Sequence, residues 1–115
     1  TARSLAQRKG ATVVVTGRED IVTDGYTLFR VQNGHPMMTS VVGTGCMAAS
    51  VIGTFAAVER NLPAAAASGL ACYEIAAELA AEQTNGPATF KIQLFDRLFR
   101  LDQKTVERRL KVISD

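Results

Sequence analysis

From residue 41 to residue 58 the chain runs 18 residues without a charge, and near the start of that run stand two glycines one residue apart, Gly43-Thr44-Gly45, followed by Cys46. No other stretch restricts the fold as much. Val41 and Val42 read as the end of a short strand, Gly43-Thr44-Gly45 as a tight turn, and Cys46 as the opening of a helix that runs to about Arg60. The small residues Ala48, Ala49, Ser50, Gly53, Ala56 and Ala57 let that helix approach its neighbours closely. A glycine turn that feeds a helix start aims several unpaired backbone N–H groups at one point, and the helix dipole adds partial positive charge there. Without Cβ atoms at the two glycines, a phosphate can come within reach of those amides. The alternative is a turn that only lets a helix pack close against a sheet.

The same spacing fits a second template. Gly43-x-Gly45-x-x-Ala48 has the glycine pattern of a dinucleotide-binding βαβ unit. That unit needs a second strand after the helix, ending in an acidic residue roughly 20 residues on. Here Asn61-Leu62-Pro63 and an alanine-rich helical segment follow, so the context excludes it. No Gly-x-x-x-x-Gly-Lys-Ser/Thr phosphate loop occurs anywhere in the chain. The uncharged run reaches the lower limit of ~18 residues for a membrane span. It contains three glycines, two threonines, a serine and a cysteine, so a helix buried in a protein core is the better reading and no membrane partner is expected.

With 115 residues the chain is at most one domain, and residues 1–115 read as part of one. A net charge of +2 is too small to argue for nucleic acid, and Arg108, Arg109 and Lys111 read as a solvated helix face. Cys46 and Cys72 have neither metal-like spacing nor the density of a disulfide framework, which favours a reducing compartment. The start, Thr1-Ala2-Arg3-Ser4, lacks the look of a signal peptide, and a cytoplasmic protein is expected.

Along the chain, residues 1–9 read as a helix end closed by Gly10. Thr12-Val13-Val14-Val15-Thr16 reads as a strand buried on both faces of a parallel sheet, and Arg18-Glu19-Asp20 as a polar loop. Thr23-Asp24-Gly25 and Asn33-Gly34 are turn signals, with residues 26–31 an edge strand between them and His35-Pro36 leading into the strand before the glycine turn. His35 reads as a surface residue, and Met37 and Met38 as packing residues. A second helix is expected from near Pro63 to about Gln83, with Glu74, Glu78 and Glu82 as a solvated stripe opposite Cys72, Ile75, Ala76 and Leu79. Cys72 is then a core cysteine. Thr89 is expected to cap a third helix whose Ile92, Phe95, Leu98 and Phe99 face inward, and Asp102 a last one carrying Val106, Leu110 and Ile113 on one face. This pattern implies α/β layers with too few strands for the helices, as in the back half of a larger domain.

Four segments in succession carry a resemblance. They are Thr16-Gly17-x-x-Asp20-x-Val22-Thr23-Asp24-Gly25; Asn33-Gly34-His35-Pro36-Met37-Met38; Gly43-Thr44-Gly45-Cys46-Met47; and Asn85-Gly86-Pro87-x-Thr89-Phe90-x-x-x-Leu94-x-Asp96-x-Leu98. Together they resemble the C-terminal half of hydroxyethylthiazole kinases, which are thiamine-salvage enzymes of the ribokinase-like superfamily. Cys46 stands where most ribokinase-like kinases carry Asp; Ala88 stands where Gly is usual in this family. The resemblance implies a three-layer α/β/α ribokinase-like sandwich, present here only as its C-terminal half. It also implies transfer of the γ-phosphoryl group of ATP, with Mg2+, to the hydroxyethyl group of 4-methyl-5-(2-hydroxyethyl)thiazole. Gly43, Thr44 and Gly45 would form the anion hole and Gly43 would also touch the thiazole; Thr16 would contact ATP. Cys46 would sit at the catalytic base, assisting without being indispensable, because a carboxylate is the surer base at neutral pH. No metal ligand maps onto this chain. Full-length members are expected to be trimers with sites between subunits, and the chain alone to be inactive. The alternatives are a related kinase acting on another small alcohol, and a non-catalytic remnant that binds a nucleotide or a partner chain.

Overall fold

The computed structural model describes residues 1–115. Helix α1 (Ala2–Lys9) starts at Thr1, whose hydroxyl accepts from the Ser4 N–H at 3.2 Å, and stops at Gly10, left-handed at φ 60°. Strands β1 (Val13–Val15), β2 (Asp20–Thr23) and β3 (Leu28–Val31) follow as two hairpins. A 3-10 turn (Pro36–Ser40) leads to α2 (Thr44–Ala56), α3 (Leu62–Ala81), α4 (Pro87–Arg100) and α5 (Gln103–Arg109). Strand β4 (Val112–Ser114) then returns to β3, so the sheet is antiparallel throughout, in the order β1-β2-β3-β4.

That order corrects two expectations. The β-branched run at residues 12–16 is an edge strand, paired on one side only with β2 and antiparallel to it: Val14 packs into the core while Val15 is 47% exposed. The stretch expected at an edge, residues 26–31, is interior, because β4 takes its outer side with Val31 opposite Val112. Asp20 belongs to β2, not to the loop before it. The hairpin signal at Thr23-Asp24-Gly25 is a turn in which Asp24 Oδ1 accepts the N–H groups of Tyr26 and Thr27 at 2.9 and 2.8 Å. Those donors hold its carboxyl below the usual range.

Helix α3 is the centre of the molecule. Asn61 caps it, its Oδ1 accepting from Ala64 N at 3.2 Å, and Pro63 sits in the first turn where its missing N–H costs nothing. Alanines make it a strong helix former and leave it thin, so other elements cover it on nearly every side. The core joins Leu70, Tyr73, Ala76 and Ala77 of α3 to Val22 and Val31 of the sheet and to Phe90 and Leu94 of α4. Helix α2 lies against α3 at Gly69, where a Cβ would stand 3.3 Å from Ile52 Cα and 3.4 Å from the Val51 carbonyl oxygen.

Further differences follow from packing. Val41 and Val42 end no strand; the 3-10 turn occupies that place, with Val41 extended after it and Val42 exposed. Helix α2 opens at Thr44, two residues earlier than expected, and closes at Ala56 before reaching Arg60. Helix α4 is capped by Gly86 with Pro87 in its first turn, so Thr89 is inside it. It meets α3 through Phe90 and Leu94, which leaves Ile92, Phe95 and Phe99 outside; Phe99 is 91% exposed. Two apolar stripes were available on α4, and one neighbour covers one stripe. Asp102 does cap α5, accepting from Thr105 N at 2.8 Å, but the helix stops at Arg109 and Ile113 lies on β4.

Candidate active site

Gly43 makes the turn into α2 at φ 95°, left-handed backbone that a side chain would strain, and has open space around it. Met47 is the first residue of the helix whose N–H finds a backbone partner, the Gly43 carbonyl at 2.9 Å. The N–H groups of Thr44, Gly45 and Cys46 donate to no protein acceptor. They are the unpaired donors at the positive end of a 13-residue helix. The Thr44 side chain turns back instead, its hydroxyl donating to the Met38 carbonyl at 3.0 Å. From α3 the Tyr73 hydroxyl donates to the Thr44 carbonyl at 2.9 Å, pinning the helix start to the core. Burial, with the neighbouring Glu74, pushes Tyr73 up to about 12, so it stays a donor.

A cavity of about 830 Å³ opens beside this turn. One wall is the β1–β2 loop, with Thr16, Gly17 and Arg18; another is the segment from Gln32 to Thr39; Thr44, Gly45 and Ala48 of α2 and Tyr73 and Glu74 of α3 complete it. Thr16, Thr44 and Gly45 therefore share one cavity. Gly43 and Cys46 do not line it. Cys46 is exposed, its thiol neither disulfide-bonded nor turned into the core. His35 caps the 3-10 turn, its Nδ1 accepting from Met37 N at 3.0 Å. Cys72 is half-buried, and desolvation pushes its thiol up.

The glutamates of α3 are not a solvated stripe. Glu74 is 6% exposed and lies against Asp20, itself 3% exposed. Burial first, then the hydrogen bond with Asp20 and the charges of Asp20 and Glu78, push Glu74 up to about 10, so its carboxyl carries a proton at neutral pH. Glu78 accepts from Gly34 N at 2.8 Å and from Asn33 Nδ2 at 3.0 Å. Asn33 is buried, donating also to the Arg109 carbonyl and accepting from Lys111 N, each at 2.9 Å. Glu82 pairs with Arg109 at 2.7 Å. Sequence reasoning missed Asp20, Asn33, Glu74 and Glu78. The available signal was composition: α3 carries small and apolar residues around its whole circumference, and acids on a helix buried on all sides need partners.

A phosphate fits the free amides at the start of α2, whose donors have no other use. A metal ion does not fit comparably: no three of His, Cys, Asp and Glu converge on one point, and Asp20 already holds the Gly17 N–H at 2.9 Å.

Layered helices on a sheet, with a glycine-capped helix start sharing a cavity with a strand-end threonine, place the molecule in the class of α/β proteins. Residues 1–104 match the sequence profile of the hydroxyethylthiazole kinase family. The hydroxyethylthiazole kinase of Chloroflexus aurantiacus is 48% identical over 113 residues, which is 98% of this chain and 42% of that protein. The Methanosarcina mazei enzyme of the same name is 45% identical over 111 residues, again 42% of its length. A solved hydroxyethylthiazole kinase structure from Pyrococcus horikoshii superposes with a TM-score of 0.95 at 38% identity, over 99% of this chain and 44% of that one. The chain belongs to the hydroxyethylthiazole kinase family, with the ribokinase-like α/β fold of that family. It spans less than half the length of these relatives.

No helix is long and apolar enough to cross a membrane.

Proposed function

We propose that this chain supplies the phosphate-holding part of a kinase that transfers the γ-phosphoryl group of ATP, as its Mg2+ complex, to the hydroxyethyl group of 4-methyl-5-(2-hydroxyethyl)thiazole in thiamine salvage. One observation carries this reading: in a chain of this family, the three amides at the start of α2 have no protein acceptor, and the helix start shares a cavity with Thr16. ATP brings the activated phosphoryl group. The amides of Thr44, Gly45 and Cys46 hold its equatorial oxygens in fixed positions, which is most of what phosphoryl transfer asks of a protein. Thr16 at the end of β1 meets the polyphosphate from the opposite wall. Gly43, left-handed and unobstructed, lets the thiazole alcohol approach backbone at the rim. Cys46 Sγ, in its thiolate form on the open side of the same turn, receives the hydroxyl proton as the oxygen attacks the γ-phosphorus and the bond to ADP breaks. Mg2+ arrives with ATP, and no residue of this chain is assigned to it.

The test is a titration of the isotope-labelled chain with ATP, followed through its backbone amide resonances. Shifts concentrated at Thr16, Thr44, Gly45 and Cys46, with α4 and α5 unmoved, are expected. Absence of shifts at millimolar ATP refutes the cradle. A second reading, nucleotide binding without turnover, is favoured for the chain by itself because it spans 42% of the length of a full relative. A phosphorylation assay with the thiazole alcohol separates the two, and the chain alone is expected to bind without turning over. The full-length assembly is expected to be a cytoplasmic trimer.

A further inference from the structure

Glu74 lines the cavity, is almost fully buried, and has no task in the transfer as proposed. Its surroundings give it one. The side chain reaches from α3 to Asp20 at the first residue of β2, and Asp20 Oδ1 accepts the Gly17 N–H at 2.9 Å. Gly34 lies against Glu74, so near that a Cβ there would stand 3.1 Å from Glu74 Oε1. Two buried carboxyl groups in contact keep one proton between them, one acting as the donor and the other as the ionised acceptor. Glu74 thereby donates its O–H to Asp20, whose carboxyl also accepts the Gly17 N–H. The linkage runs from the rigid central helix, through β2, to the loop that carries Thr16 and Arg18.

We infer that Glu74 is a positioning residue: acting through Asp20, it holds the Thr16-Gly17-Arg18 turn in the place where that turn meets the polyphosphate of ATP. This rests on the nucleotide reading above for its consequence, though not for its geometry. The charged and titratable groups around Glu74 are Asp20 from β2, Glu78 and Tyr73 from its own helix, and Arg18 and His35 on the other walls of the cavity. Removing the shared proton leaves two adjacent negative charges, which separate and release Gly17. The turn is therefore held below the alkaline range and freed within it.

The test uses the labelled 115-residue chain as wild type, Glu74→Gln and Glu74→Ala, with amide spectra confirming that each variant folds. Glutamine keeps a donor for Asp20; alanine removes it. In Glu74→Ala the Gly17 amide is expected to exchange with solvent roughly tenfold faster at pH 6.5, and ATP to bind roughly tenfold more weakly, the loss expected when a charged acceptor loses its donor. Glu74→Gln is expected to restore both. Wild type is expected to lose ATP affinity from pH 8.5 to 10.5, while Glu74→Gln holds it. Unchanged Gly17 exchange and ATP affinity in Glu74→Ala, or a glutamine variant as impaired as alanine, overturns the inference. Should ATP bind to none of the three while Gly17 loosens only in Glu74→Ala, the nucleotide reading fails and the hold of Glu74 on the turn stands.

Discussion

Replacing Glu74 by glutamine is expected to make the protein more stable at neutral and mildly alkaline pH, although it removes a charge-capable residue from the cavity. In the unfolded chain this carboxyl has its ordinary value of 4.5; in the fold, burial and Asp20 raise it to about 10. Between those values the native state binds one more proton than the unfolded state, so stability falls as pH rises, by up to about 1.4 kcal/mol per unit. Below the unfolded value the group is protonated in both states and the loss disappears. Glutamine has the same size, offers an N–H to Asp20, and does not titrate. The cavity admits water to one side of the pair, so a difference of about 2–3 kcal/mol in favour of Glu74→Gln at pH 8 is reasonable, against near equality at pH 5. Urea melts of both proteins at pH 5, 6, 7 and 8 measure it, with equal m-values required before midpoints are compared. The other titrating groups are common to both proteins and cancel in the difference. A gap that stays constant within about 0.5 kcal/mol from pH 5 to pH 8 would refute the reasoning, since Glu74 would then titrate as a surface carboxylate.

Three further outcomes are expected. Gly45→Val places a branched side chain where the glycine now has nothing within 4 Å; the fold survives with a loss of about 1 kcal/mol or less, while ATP binding, read by titration calorimetry, disappears. In a chain extended to the full length of the family, Cys46→Ala slows phosphorylation of the thiazole alcohol by roughly 100-fold without abolishing it, the low end of what removal of a general base costs, and Cys46→Asp stays active; complete loss in the aspartate variant would contradict the base role. Gly69→Val drives methyl groups into Ile52 Cα and the Val51 carbonyl, and costs about 1–3 kcal/mol in a denaturant melt by forcing α2 away from α3.

Much of this architecture was legible in local patterns. Gly10, Pro63 and Asp102 mark helix ends by their own chemistry, and the structure puts helix boundaries at each, whereas α4 starts at Gly86-Pro87 and not at Thr89. The Asp24-Gly25 turn follows equally from side-chain and backbone preference. Pairing was less legible. A run such as Val13-Val14-Val15 states that a strand forms but not how many partners it finds, and β4 comes from a segment 81 residues after β3, where sequence separation hides the pairing. At the candidate site, a helix start with free amides could be read from two glycines. The acids were harder to read, because the spacing of Glu74, Glu78 and Glu82 is also that of an exposed helix face, and the small and apolar residues around the rest of α3 were the one sign against it.

Tyr73, Glu74 and Glu78 are successive anchors on one rod. The first fastens the beginning of α2, the second Asp20 below the strand-end threonine, and the third the Asn33–Gly34 corner. The spacing of these anchors is thus written in helical pitch, about 1.5 Å of rise and 100° of rotation per residue. Inserting or deleting a single residue between Tyr73 and Glu78 would swing one anchor out of phase with the others and unmake the opening at a stroke.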